Sequence, residues 1–127
     1  MNMTSNRPYV LRALHEWIID NGMTPYVLVN AGIPDVAVPG EYIHDGRVVL
    51  NISPAAVADL DMGNDFVCFT ARFAGKPTLV SLPLNAILAI YAKENGKGMI
   101  FPEEEGAVAQ DGEAQEQEKK PFLKVIK

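Results

Sequence analysis

The chain has 127 residues, a net charge of −5, 48% hydrophobic residues and a single cysteine. That length allows one domain with a modest core of its own, and one cysteine excludes an internal disulfide framework and suits a reducing, cytoplasmic setting. Residues 1–101 hold nine acids and seven bases, and residues 102–127 seven acids and four bases, so there is no basic excess to neutralise nucleic-acid phosphates or an acidic membrane surface.

The first predicted element is a helix over "NRPYVLRALHEWIIDNG", with Asn6 as N-cap, Pro8 in the first turn and Asn21-Gly22 as the stop. At ~100° per residue, Val10, Leu11, Ala13, Leu14, Trp17 and Ile18 cover an arc of roughly 160°, wider than the ~100° of a one-sided surface helix. Either the helix is sunk deep in its own domain, or one flank meets the core and the other meets a second copy.

Short β-branched strands follow at "TPYVLVN", "VAVP" and "RVVLNIS", with Asp45-Gly46 as a hairpin signal between "EYIH" and "RVVL". Ser53-Pro54 opens "SPAAVADL", expected to be a short helical turn. "DFVCFTARFAGKPTLVSLP" is expected to form a long hairpin around Ala74-Gly75, in which Val67, Phe69, Ala71 and Phe73 alternate with Phe66, Cys68, Thr70 and Arg72. A second helix is expected over "LNAILAIYAKENG", where Leu84, Ile87, Leu88 and Tyr91 fall at i, i+3, i+4 and i+7, and "GMIFP" supplies a last strand. The expected fold class is therefore mainly β with two helices, a small, partly open antiparallel barrel. The acidic segment from Pro102 to Lys120 has the composition of a solvated linker.

Catalytic patterns are missing. His15 and His44 have no metal-ligand or nucleophile partners at suitable spacing and read as solvated side chains. Cys68 reads as packing, and Glu103–Glu105 as a solvated charge cluster. No GxSxG, HExxH or glycine-rich phosphate loop occurs, so neither an enzyme nor a cofactor or metal site is expected. No charged leader precedes an apolar run, and no apolar run approaches the ~20 residues that cross a bilayer, so the protein is expected to be neither exported nor inserted in a membrane. Binding is the better prospect. The strand "DFVCFTARF" is apolar on both rows with Arg72 at one end, which suits an extended peptide carrying acidic and apolar side chains. The alternative is that both rows are buried beneath the two helices.

The stretches "RPYVLRALHEWIIDNGMTPYVLVN", "EYIHDGRVVLNISPAAV", "NDFVCFTARFAGKP", "LPLNAILAIYAKENGKGMIFPEEE" and "PFLKVIK" together resemble the stringent starvation protein B family of ClpXP specificity adaptors over essentially all of residues 7–127. The resemblance implies a Sm-like barrel with its N-terminal helix in residues 1–101, a flexible linker in 102–120 and a ClpX-docking motif in 121–127. It implies a homodimer joined through Val10, Leu11, Leu14, Trp17 and Ile18. It also implies a groove for the SsrA tag that ribosome rescue by transfer-messenger RNA adds to stalled polypeptides. By position, the groove residues are Asn64, Phe66, Phe69, Thr70, Ala71, Arg72, Phe73, Met99, Ile100 and Phe101. Leu123, Lys124, Val125, Ile126 and Lys127 would dock on the N-terminal zinc domain of ClpX, and the ribosome is a further partner to consider. Lys124-Val125-Ile126 stands where the family often has Arg-Val-Val, a change that keeps charge and apolar character. Two rival readings are a Sm-like RNA-binding barrel, opposed by the acidic balance, and a small hydrolase using His15 or His44, for which no nucleophile motif is present.

Overall fold

The computed structural model describes residues 3–102. The expected docking motif and all of the expected linker but Pro102 lie outside the described residues.

Helix α1 spans Arg7–Asp20. Asn6 occupies the N-cap position without a side-chain capping bond; instead Ser5 Oγ accepts the Arg7 N–H at 3.1 Å. Pro8 belongs in the first turn because it lacks an N–H that the turn could not satisfy. At the other end Gly22 takes φ +73°, its N–H reaches Ile19 O at 2.9 Å, and the Met23 N–H reaches Ile18 O at 3.1 Å. This pair of bonds is a Schellman motif, so the Asn21-Gly22 stop is a built cap.

Among the described residues seven strands follow: β1 Pro25–Asn30, β2 Arg47–Asn51, β3 Val57–Met62, β4 Phe66–Phe73, β5 Lys76–Pro83, β6 Ile87–Ala92 and β7 Gly98–Ile100. Pairing is antiparallel throughout, in one sheet of order β2-β1-β6-β7 and another of order β3-β4-β5. The strands do not close into one hydrogen-bonded barrel. Two-residue turns fix the hairpins: Asp45 and Gly46 both have positive φ between His44 and Arg47, and Ala74 and Gly75 do so between Phe73 and Lys76. Those are the backbone angles whose twist matches paired strands.

The inner rows of the two sheets face each other. Val27, Val29, Val48, Leu50 and Ile90 from one sheet join Val67, Phe69, Val80 and Leu82 from the other, and Leu11 and Ile18 of α1 enter the same cluster. Each such side chain contributes about 1.5–3 kcal/mol on leaving water. α1 packs on β6 and β1.

Three expected elements differ. Among the described residues there is one α-helix, not two: "LNAILAIYAKENG" begins with a 3-10 turn at Leu84–Ala86 and continues as strand β6. Ile87, Leu88, Ala89, Ile90 and Ala92 are all buried, because β6 is a central strand covered on both sides. A strand apolar on both rows satisfies a helical spacing test as easily as a helix does. "SPAAVADL" gives the expected turn at Ser53–Ala56, closed by Ala56 N–H to Ser53 O at 3.0 Å, but its second half is β3. In β3, Asp59 lies in the left-handed region and the register shifts between Ala58 and Asp61, which hides the alternation. "VAVP" is not a strand; Ala37 alone bridges Ser81.

β7 is held tightly against β6. A Cβ at Gly98 would run into Ile90 O and lie 2.5 Å from Tyr91 Cα and 2.8 Å from Ile90 C, so only glycine fits there.

Candidate peptide-binding site

The β4 register settles which row faces inward. Val67 and Phe69 are each 1% exposed in the core, while Phe66, Cys68, Thr70 and Arg72 form the outer row. Across the outer face Thr70 lies between Ala58 of β3 and Leu79 of β5, and Cys68 between Asp61 and Ser81. Cys68 Sγ stands 3.6 Å from Ser81 Oγ. Leu79 is 69% exposed and Phe66 39%, so this face carries apolar surface in contact with water.

At one end of β4 is a groove of ≈ 550 Å³ lined by Thr70, Ala71, Arg72, Pro77 and the Ala55–Ala58 segment. Ala55, Ala56 and Ala58 keep the β3 side of the groove shallow, which leaves room for an extended peptide. Arg72 is exposed and donates to Gly75 O at 3.0 Å, so its guanidinium arches over the hairpin tip with other N–H groups directed to solvent. Phe73 belongs to the inner row, and its ring meets Tyr42 at 4.9 Å between centroids. Tyr42 comes from the 3-10 turn Gly40–Tyr42 and was not among the residues singled out by sequence; nothing in its local pattern marks it.

Asn64 is at the opposite end of β4, about 25 Å from Arg72 at ~3.3 Å per residue. Its Oδ1 accepts from Arg12 Nη1 at 3.0 Å, and its Nδ2 donates to the Tyr9 hydroxyl at 3.3 Å. Arg12 also donates to Met62 O at 3.0 Å and lies over the Tyr9 ring at 4.8 Å, so Asn64 is tied to α1. Beside it is a second depression, of ≈ 540 Å³, lined by Thr4, Ser5, Pro8, Tyr9, Asn64, Asp65, Leu84 and Asn85.

The closing segment belongs to the other sheet. Met99 is 46% and Ile100 82% exposed, whereas Phe101 is 6% exposed and donates its N–H to Leu88 O at 2.7 Å. None of these three lines the groove at Thr70–Arg72.

On α1, Leu11 and Ile18 are 1% and 2% exposed and face the chain's own core. Val10 and Leu14 are half-buried, and Trp17 is 48% and Tyr9 53% exposed. With Ala13 between them, Tyr9 and Trp17 make a second apolar stripe at i, i+4 and i+8. The over-wide arc thus divides into an inner flank and an outer one.

His15 is half-buried and donates Nε2–H to Ile52 O at 2.9 Å, a structural contact that the sequence reading did not anticipate. His44 is exposed. Among the described residues no three His, Cys, Asp or Glu side chains gather to hold a metal ion, and no helix is long and apolar enough to cross a membrane. Glu94 accepts from the Thr24 hydroxyl at 2.7 Å and the Thr24 N–H at 2.9 Å, and these bonds hold its carboxyl below the ordinary glutamate range.

A family model described as Stringent starvation protein B matches residues 5–124. A curated relative, the Stringent starvation protein B homolog of Haemophilus influenzae, is 50% identical over 99 residues, which is 78% of this chain and 66% of that protein.

Proposed function

The chain belongs to the stringent starvation protein B family, and on that footing we propose that it is an adaptor in protein degradation which captures the SsrA tag on stalled polypeptides and brings them to the ClpX unfoldase of ClpXP. The observation that carries the reading is the groove at Thr70, Ala71 and Arg72, lined by small apolar side chains beside an exposed cation. An extended tag with acidic and apolar side chains would gain main-chain hydrogen bonds there, and Arg72 would meet one of its carboxylates. Phe66, Phe73, Met99 and Ile100 are proposed as further contacts. Phe69 and Phe101 are proposed to act from beneath by holding their strands in place, and Asn64 to bound the far end. The two packed antiparallel sheets under α1 are read as a partly open Sm-like barrel.

Two copies would pair through the outer stripe of α1, centred on Trp17 with Val10 and Leu14 at its edge. Leu123, Lys124, Val125, Ile126 and Lys127 are proposed to dock on the ClpX zinc domain, with residues 102–120 as the tether. A tether of this length spans about 25 Å by square-root scaling and turns two weak contacts into one strong one. Deleting residues 121–127 is expected to leave tag binding intact and to abolish stimulated degradation by ClpXP. Arg72→Glu is expected to do the reverse, weakening tag binding and sparing the ClpX contact. Loss of tag binding in the truncated chain would contradict the division of labour.

A further inference from the structure

Arg7 is the one charged side chain among the described residues that is buried, at 3% exposure. It stands at the first turn of α1, where the helix dipole disfavours a cation, so burial there needs strong local partners. Main-chain oxygens remote in sequence are among those partners. Arg7 Nη1 donates to Ile87 O at 2.9 Å and to Leu84 O at 3.4 Å, and Nη2 donates to Pro102 O. The guanidinium also lies over the Phe101 ring, 5.2 Å from its centroid. One planar fork thus joins three segments: the start of α1, the entry to β6, and the chain immediately after β7. Phe101 is fastened a second time through its N–H on Leu88 O at 2.7 Å.

β7 itself has only three residues and three register pairs with β6, and its side chains at Met99 and Ile100 are largely exposed. A strand that short at a sheet edge is held mainly by what anchors its ends. On the N-terminal side the anchor is the Ala92 N–H bond to Lys97 O at 2.8 Å; on the C-terminal side it is Arg7.

We propose that Arg7 is a positioning residue, a clasp that fixes the Phe101-Pro102 segment to α1 and thereby sets the rim formed by the exposed Met99–Ile100 pair, proposed above as tag contacts outside the Thr70–Arg72 groove. The inference deepens the tag-binding reading and rests on it for the role of the rim. Main-chain acceptors explain why arginine suits the position. Lysine also has three donors, but all on one nitrogen, whereas the planar fork sends Nη1 and Nη2 to carbonyls of separate segments with its face over the ring.

The test compares Arg7→Met, which keeps an unbranched stem without donors, with Arg7→Lys, in the full chain. Amide hydrogen exchange is read alongside titration with a fluorescent tag peptide. In Arg7→Met the Phe101 amide is expected to exchange roughly ten- to a hundredfold faster, the weight of one lost charged hydrogen bond. Amides in β1 and β2 keep their protection, tag affinity falls about tenfold, and Arg7→Lys restores part of both. Uniform loss of protection across β1, β2 and β7 would mean that Arg7 supports only global stability, and unchanged Phe101 exchange would mean that it clasps nothing; either overturns the proposal. Fast Phe101 exchange with unaltered tag affinity overturns the link to the rim. If the unsubstituted chain does not bind the tag peptide, the proposed function fails separately, and the exchange pattern still decides the clasp.

Discussion

Replacing Gly98 by alanine tests how rigidly β7 is set. The added methyl would meet three backbone atoms of β6, at Ile90 O, Tyr91 Cα and Ile90 C, the last two at 2.5 and 2.8 Å. None of these can rotate aside as a side-chain end could. Ile90 is fully buried and its strand is paired with β1 on the far side, so β6 cannot retreat. β7 must therefore move outward by about 1 Å to reach ordinary carbon contacts near 3.5 Å. That shift stretches the ladder pairing Ala89, Ile90 and Tyr91 with Ile100, Met99 and Gly98. Losing two or three hydrogen bonds at about 1 kcal/mol each predicts a destabilisation of about 2–3 kcal/mol, a fall in Tm of roughly 10–20 °C for a domain of this size. Urea denaturation followed by the fluorescence of Trp17, with exchange at Met99 and Ile100, reads both the global and the local loss. A change below about 0.5 kcal/mol with β7 amides still protected would show that the strand has room to spare, and the account of a tightly seated rim would be wrong.

Ala74 has φ +52° at the β4–β5 turn, a left-handed conformation that costs a side-chain-bearing residue about 1 kcal/mol. Ala74→Gly is therefore expected to raise the urea midpoint without altering m, and a lower midpoint would refute the strain argument. The Thr24 bonds lower the pKa of Glu94, so its contribution to stability is present above the ordinary value of 4.5 and is lost as pH falls through the lowered one. Stability curves of the parent and Glu94→Gln should accordingly differ at pH 7 and converge toward pH 3; a constant gap would contradict the assignment. Trp17→Glu, on the outer flank of α1, is expected to convert the proposed dimer into a monomer in sedimentation experiments while leaving the fold unchanged, since Trp17 is 48% exposed within one chain. An unaltered sedimentation coefficient would remove α1 from the proposed dimer contact.

Features set by short stretches of sequence were legible in advance. The helix ends follow from Pro8 and Asn21-Gly22, and both hairpins from dipeptides whose backbone angles suit a two-residue turn. β6 was misread because burial on both faces erases the two-residue alternation; Pro83 before it and the six-residue run were the signals favouring a strand. The hairpin of β4 and β5 was legible from its alternation and the Ala74-Gly75 turn, but which β4 row faces outward was not, because both rows carry apolar side chains. Asn64 shows the limit of such reading: its attachment to Arg12 and Tyr9 depends on where α1 lies, which no local pattern encodes. The Arg7 contacts span 77 to 95 residues and are equally invisible from sequence, since a lone arginine at a helix start looks like a solvated charge.

The most direct measurement is the binding isotherm of a fluorescent SsrA-tag peptide with the intact chain and with Arg72→Glu. Saturable binding that weakens about tenfold or more on charge reversal is the predicted result. No binding by the intact chain, or equal affinity in both, would contradict the claim that the β4 groove takes up the tag.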